Sequence, residues 1–412
     1  MRRILFIYGN LNFGGVATLL YRKSKWLIEN KYEVNILTTE YGHLKMKNSL
    51  LDLGCKLIVS NEINYSPSKI SFREMLNFYN KVVNEISCVN EIEFIECFTP
   101  LETYYGVFLA GFLNKKLVAG IYHPQSYTFG YTFDNRDYYN LFRNMDKNNC
   151  LVFMNDDTMK AHEKYFKYTV RNRCIIPLPI NIKKERQNFS RNYEFKILSI
   201  GRLCDFKKYV YGLIADFDEF YKTHENSILT IIGDGTEKKQ MLKYAKKFKS
   251  CKDGKIEFLG TVPYNELDKY IYKASMGVGM GTSLLEMASA GIPAIIAPAF
   301  VDNNISNGLL YEADVLNFAD EKNKCTNTYK YYMEFIYNCN DEQYNEIGHR
   351  CRKVVNDNYS INNIMDQWLK KIGDCNPPVL NEPLDDFIPK SPLKMFLSLE
   401  KRKIKHKFKN KL

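Results

Sequence analysis

Gly277-Val278-Gly279-Met280-Gly281-Thr282-Ser283-Leu284-Leu285-Glu286-Met287-Ala288-Ser289-Ala290-Gly291-Ile292-Pro293 reads as a short strand that passes through glycines straight into a helix and stops at a glycine and a proline. Glycines let a backbone approach a ligand closely. A helix starting near Ser283 aims its free N–H groups and positive dipole end at that ligand. Glu286 falls on the first turn of this helix. Its carboxylate is placed to accept hydrogen bonds from a ribose or, in the Ser283-x-x-Glu286 capping-box pattern, from the Ser283 amide.

Working outward, strand-like runs recur on both sides. Lys196–Ile200, Ile228–Ile232, Ile256–Leu259, Met276–Met280 and Ala294–Ala297 alternate with helical stretches, among them one from near Val210 and another over Tyr264–Lys273. The first half repeats the pattern with Ile4–Tyr8, Val34–Leu37, Lys56–Val59, Phe94–Phe98, Leu117–Tyr122 and Leu151–Met154. Between these lie Val16–Glu29, Phe72–Ile86 and Leu101–Leu113, apolar at helical spacing. Such alternation predicts an α/β protein of doubly wound parallel sheets, with ligands at the carboxyl ends of the strands. The polar stretch 184–194 reads as a linker between two units of similar size, with a cleft between them as the default ligand site. From Asn327 to about Ile372 the chain reads as helical. The expected domains are 1–190, 191–375 with closing helices, and 376–412, a Pro-containing connector and a basic tail.

Charge is unevenly distributed. The 412 residues carry 58 Lys and Arg against 47 Asp and Glu, for a net +11. Residues 390–412 hold nine cations and Glu400, so the tail alone carries +8 and leaves +3 for the rest. The nearly neutral body argues against a body-wide nucleic-acid surface and leaves a local electrostatic partner for the tail. Apolar residues 393–399 running into lysines suit either an interfacial helix on an anionic membrane or a solvated basic end. No stretch reaches the roughly 20 apolar residues of a membrane-spanning helix. Eleven scattered cysteines without C-x-x-C spacing, and six histidines without zinc spacing, point to reduced thiols, a cytoplasmic protein and no metal. The lone Asp-x-Asp, Asp216-Phe217-Asp218, lies in a helix where its carboxylates diverge by roughly 200° and cannot chelate one ion.

Further motifs follow the strands. Ile200-Gly201-Arg202-Leu203-Cys204-Asp205-Phe206-Lys207 puts a guanidinium and an ammonium after a strand, either as a grip for a diphosphate or as two solvated cations. Gly233-Asp234-Gly235 and Gly260-Thr261-Val262-Pro263 end the next two strands. In the first half, Gly14-Gly15 opens a helix and His123 ends a strand. The aromatic-rich segment Tyr122–Phe133 after it suits either stacking on sugar rings or ordinary loop packing.

In this order the segments resemble family 4 of the GT-B-fold glycosyltransferases (glycosyl transferases group 1), the match running from about Lys196 to Pro293. The resemblance implies two Rossmann-like domains facing across a cleft and a retaining, metal-independent transfer of sugar from a nucleotide-diphosphate sugar. The acceptor it implies is a glycan or lipid-linked molecule of bacterial surface polysaccharide or glycolipid synthesis. Arg202 and Lys207 would bind the diphosphate, Glu286 the ribose, the backbone of Gly281, Thr282 and Ser283 the phosphates, and Val262 would lie near the base. Gly279 and Met280 would contact the sugar through their backbone, with His123 beside it, and Gly14 and Gly15 would let the first loop reach the donor. The family often carries a second glutamate eight positions before Glu286, and this chain has Val278 there. A sugar phosphorylase or nucleotide-sugar epimerase of the same fold stays open. So does an inactive partner subunit, which Val278 alone favours. The implied location is cytoplasmic, with the tail on the inner membrane face.

Overall fold

The computed structural model describes residues 2–12, 14–64, 72–86, 91–127, 135–186, 194–313 and 327–378. The chain forms two compact units, one from residues up to Pro179 together with those from Ile364 onward, the other Ile180–Asn363.

Among the described residues of the first unit, strands β1 (Arg3–Ile7), β2 (Glu33–Thr38), β3 (Lys56–Val59), β4 (Ile92–Cys97), β5 (Lys116–Ile121) and β6 (Leu151–Phe153) make one parallel sheet. Its order is β3-β2-β1-β4-β5-β6. Helices α1 (Gly15–Glu29), α2 (Leu44–Asp52), α3 (Phe72–Glu85), α4 (Pro100–Leu113), α5 (Asn135–Lys147) and α6 (Asp156–Phe166) connect the strands. Central strands are buried on both faces, which is why they read as continuous apolar runs. The turn of strand order falls between β1 and β4, so the segments leaving those two strands flank the crevice of this sheet.

The second unit repeats the plan with five parallel strands, β7 (Phe195–Ile200), β8 (Ser227–Ile232), β9 (Ile256–Gly260), β10 (Met276–Gly279) and β11 (Ala294–Ile296), in the order β11-β10-β7-β8-β9. Its helices are α7 (Tyr209–Tyr221), α8 (Lys238–Ala245), α9 (Lys249–Lys252), α10 (Asp268–Ile271), α11 (Thr282–Ser289), α12 (Tyr329–Asn338) and α13 (Asp341–Tyr359). A capping box starts α13, where Asn340 Oδ1 accepts from the Gln343 amide at 2.8 Å and Gln343 Oε1 accepts from the Asn340 amide at 3.0 Å.

Two expectations need correction. The helix expected over Tyr264–Lys273 is broken into a 3-10 turn, Tyr264–Glu266, and the four-residue α10, which meet at Leu267. The closing helices do not all stay with the second unit. Helix α14 (Ile361–Asp374) joins the first unit from Ile364 onward, and the first boundary falls after Pro179, not at 190. The physical reason is Trp368. Its ring packs edge-on against Phe94 at 4.9 Å and near Phe6 at 6.2 Å, and the Lys23 ammonium sits 3.5 Å over its face. An apolar helix stripe read in sequence does not say which sheet it covers. The linker residues 187–193, Thr128–Phe133 of the aromatic segment and the tail 390–412 lie outside the described residues.

Trp368→Ala should cost about 3–5 kcal/mol in chemical denaturation, the usual loss for a buried aromatic ring. A change below about 1 kcal/mol would show that α14 does not seal the first unit.

Candidate functional site

In the second unit the strand order turns between β7 and β10, so the two motifs read in the sequence leave adjacent parallel strands. Gly201–Lys208 follows β7, and Met280-Gly281 leads from β10 into α11. Ser283 ties them together, its hydroxyl donating to Ile200 O at 2.7 Å. That bond settles the capping question. The N-cap of α11 is Gly281, with φ +66° and no side-chain cap, and Ser283 lies inside the helix. Glu286 is therefore not used in a Ser283 capping box. It is 4% exposed, and its Oε1 accepts from the Tyr264 hydroxyl at 3.1 Å. Sequence reasoning missed Tyr264 because it placed that residue in a helix.

The loop after β7 is shaped by the turn after β8. Gly233 (φ +145°) and Gly235 (φ +158°) press against the Gly201 and Leu203 carbonyls so closely that a Cβ on either would overlap an oxygen. Leu203 N donates to Asp234 O and Glu237 N to Leu203 O, both at 2.9 Å. The Asp234 carboxylate is occupied by Lys238 at 2.7 Å and by the Gly235 amide. Gly233 N also donates to Gly260 O at 2.8 Å, linking the exit of β9, where Val262 packs partly buried on the core.

Arg202 is exposed and Lys207 partly buried, ending the 3-10 turn Asp205–Lys207. The Lys207 side chain folds over Gly201, where any Cβ would collide with its Nζ. Among the described residues no carboxylate pairs with Lys207, and the nearest aromatic is the Phe206 ring at 5.7 Å. Burial, helped by the Arg202 charge and opposed by Cys204, lowers its pKa to about 8. An ammonium that is partly buried beside a guanidinium, with no carboxylate partner among the described residues, is a group that an anion would stabilise. Gly279 and Met280 lead into this loop. Val278 is fully buried in β10 opposite Ile295, so position 278 faces the core.

Asp216 and Asp218 diverge as their spacing implies. Asp216 accepts from Asn304 Nδ2 and the Lys330 amide, each at 2.8 Å, while Asp218 accepts from the Ser250 amide and hydroxyl. Among the described residues no cluster of three or more His, Cys, Asp or Glu could hold a metal ion, and no helix is long and apolar enough to cross a membrane.

In the first unit His123 follows β5. Its Nδ1 accepts from the Gln125 amide at 3.1 Å, which leaves the proton of the neutral ring on Nε2. Burial lowers its pKa. A second histidine, unnoticed in the sequence, braces this segment. His162 is fully buried, its Nδ1–H donates to Thr158 O at 2.7 Å, and its Nε2 accepts from the Tyr127 amide at 3.2 Å. Gly14 is extended (φ 171°), and a Cβ on Gly15 would enter open space. Conformation does not demand glycine at 14, nor packing at 15.

Comparison with known proteins adds the family. Residues 181–332 match the model described as Glycosyl transferases group 1. They form a glycosyl transferases group 1 domain. That domain holds Arg202, Lys207, Val262, Glu286 and the glycine turn before α11. The alpha-monoglucosyldiacylglycerol synthase of Acholeplasma laidlawii is 31% identical over 132 residues, 29% of this chain and 32% of that protein. Glycogen synthase of Mycobacterium tuberculosis is 29% identical over 106 residues, 24% of this chain and 25% of that one. The chain thus matches a quarter to a third of the length of these curated relatives. The crystal structure of Anabaena HepE in complex with UDP-glucose superposes over 90% of this chain and all of its own, with a TM-score of 0.64 at 14% identity. At that identity the likeness shows the fold, a GT-B-like architecture of two parallel α/β units with C-terminal helices.

The Lys207 ammonium sets a pH dependence. If Lys207 grips the donor diphosphate, binding needs its charged form, which the free protein loses above about pH 8, and the bound diphosphate would raise that pKa by favouring the charge. Affinity for UDP should be flat from pH 7 to 7.5 and fall by about tenfold per unit above pH 8, with proton uptake on binding, as read by calorimetry. Lys207→Met should remove the slope. A slope that persists in Lys207→Met would assign it to another group.

Proposed function

We propose that the chain is a retaining glycosyltransferase that moves a sugar from a nucleoside-diphosphate sugar to a glycan or lipid-linked acceptor. The observation that carries this reading is the unpaired Lys207 ammonium beside Arg202, on a loop tied by Ser283 to the first turn of α11. Arg202 and Lys207 take the diphosphate, with the first-turn amides of Gly281, Thr282 and Ser283 on its oxygens. Glu286, oriented by Tyr264, takes the ribose hydroxyls, and Val262 lies by the base. The backbone of Gly279 and Met280 contacts the sugar, since Val278 is turned into the core. Gly14, Gly15 and His123 are assigned as further donor-binding residues, His123 offering its Nε2 proton to a sugar hydroxyl.

The step balances without an outside co-reactant. The bond from the anomeric carbon to the diphosphate oxygen breaks, and a bond to the acceptor oxygen forms on the same face. The acceptor's proton passes to a phosphate oxygen of the departing diphosphate. Arg202, Lys207 and the end of α11 stabilise the charge that grows on that diphosphate. No metal is assigned to the reaction, and Asp216 and Asp218 serve the packing of α7. The acceptor class draws support from the Acholeplasma relative, a synthase of a glucosyl diacylglycerol by name. We place the enzyme in the cytoplasm, on the inner membrane face through residues 390–412, in bacterial surface polysaccharide or glycolipid synthesis.

A panel of nucleotide sugars tests the reading. Arg202→Ala should lower turnover by about 10²–10³-fold with the protein still folded. Glu286→Ala should weaken donor binding and leave the melting temperature nearly unchanged. If the wild-type chain binds no nucleoside diphosphate and turns over no donor, the inactive-subunit reading replaces this one.

Deleting 390–412 should abolish sedimentation with vesicles containing anionic lipid and leave transfer to a soluble acceptor intact. Equal sedimentation of both chains would remove the membrane role of the tail.

A further inference from the structure

In the first unit the segment leaving β1 is held at one residue from two sides. Gly9 is buried, and its carbonyl accepts from Thr38 Oγ1 at 3.2 Å, Thr39 Oγ1 at 2.5 Å and the Thr39 amide at 3.1 Å. Its N–H donates at 2.6 Å to Oε1 of Glu102, on the first turn of α4. Two residues on, the chain is pinned again where Leu11 pairs with Gly42, and α1 begins at Gly15. Gly9 is therefore the root of the loop that ends in Gly14-Gly15, and it stands at the β1/β4 turn of strand order.

Glu102 is 5% exposed, and its Oε2 has no hydrogen-bond partner among the described residues. Packing alone favours an apolar side chain here, since a buried carboxyl oxygen left unpaired is destabilising. The carboxyl provides the bond to Gly9, and the Thr99 side chain and the Phe98 and Thr99 backbone at the start of α4 also favour its charged form. The ionisable groups facing it are Tyr8 at the end of β1, Cys97 at the end of β4 and Tyr127 after β5. All are pushed upward, by burial first and by the Glu102 charge in addition. Burial raises Glu102 to about 7, so near neutral pH its bond to Gly9 alternates between an ordinary and a charge-assisted one.

We infer that Glu102 is a positioning residue that holds the segment leaving β1 through the Gly9 amide and thereby sets donor affinity. The donor part rests on the transferase reading, whereas the hold on Gly9 does not. Hydrogen exchange of residues 8–12 in the full chain tests the hold, and calorimetry with UDP-glucose tests its consequence. In Glu102→Ala, exchange at 8–12 should accelerate and UDP-glucose binding weaken, each by about tenfold, the worth of one buried hydrogen bond. Glu102→Gln, which keeps an acceptor oxygen, should restore both. Wild-type exchange at 8–12, corrected for intrinsic rate, should show an inflection near pH 7 that Glu102→Gln lacks.

Unchanged exchange in Glu102→Ala, or a Glu102→Gln variant as impaired as Glu102→Ala, would overturn the assignment. If Glu102→Ala does not fold, the pH inflection and its absence in Glu102→Gln decide alone. Should exchange respond as expected while UDP-glucose never binds, the hold on Gly9 stands. Its link to donor affinity then falls, and the transferase reading is judged by the donor panel.

Discussion

The contact of Gly233 and Gly235 with the Gly201 and Leu203 carbonyls governs the second unit's site. A turn packed at this distance has no room for a Cβ, and both glycines adopt positive φ that other residues rarely reach. Because the turn is locked, the loop after β7 leaves in one direction. Lys207 is then bent back over Gly201 into a partly buried position, with no anionic partner among the described residues. Its lowered pKa follows from that geometry, and the diphosphate contact proposed for it draws on the same arrangement. Ser283 closes the arrangement from the other strand and fixes where the end of α11 lies relative to the cations.

The first unit places its polar groups differently, under the carboxyl ends of its sheet and out of solvent. Lys23 and Glu96 form a buried ion pair at 2.5 Å, and Tyr122 donates to the other Glu96 oxygen at 2.5 Å. Burial outweighs the pairing and lowers Lys23 to about 8. Such pairs rarely add stability over apolar packing. Here the pair links α1, β4 and the residue before His123, with Trp368 of α14 covering the ammonium. His162 and Glu102 do comparable work nearby, one bracing Tyr127 and the other Gly9. All four are buried polar groups held by hydrogen bonds to backbone or to one another, with the Tyr122 hydroxyl added at Glu96, the pattern expected where placement matters more than net stability.

Much of this was legible beforehand, and the reason differs by element. The strands were readable because doubly buried parallel strands are apolar throughout, so β3 matches its expected limits and the others differ by a residue or two. The two site loops were readable because glycine and cation spacing after a strand is a local property. Tyr264 was not, because its hydrogen bond to Glu286 depends on a turn that the apolar spacing of 264–273 disguised as a helix. Glu102 and His162 look like ordinary members of amphipathic helices. Their partners lie 93 and 35 residues away in the chain.

The sequence by itself determined the alternation of strands and helices, the division into two α/β units, and the residues at the carboxyl ends of β5, β7 and β10. Each of these depends on periodicity or on neighbours within a few positions. Only the tertiary structure decided that Ser283 binds Ile200 instead of capping its own helix, that Val278 faces the core, and that α14 returns to the first unit. It alone decided that Lys207 folds over Gly201 without gaining a carboxylate partner among the described residues. Those outcomes depend on which surfaces meet after the chain has folded, and burial changes the energy of a charge or an unpaired oxygen in a way no spacing of residues records.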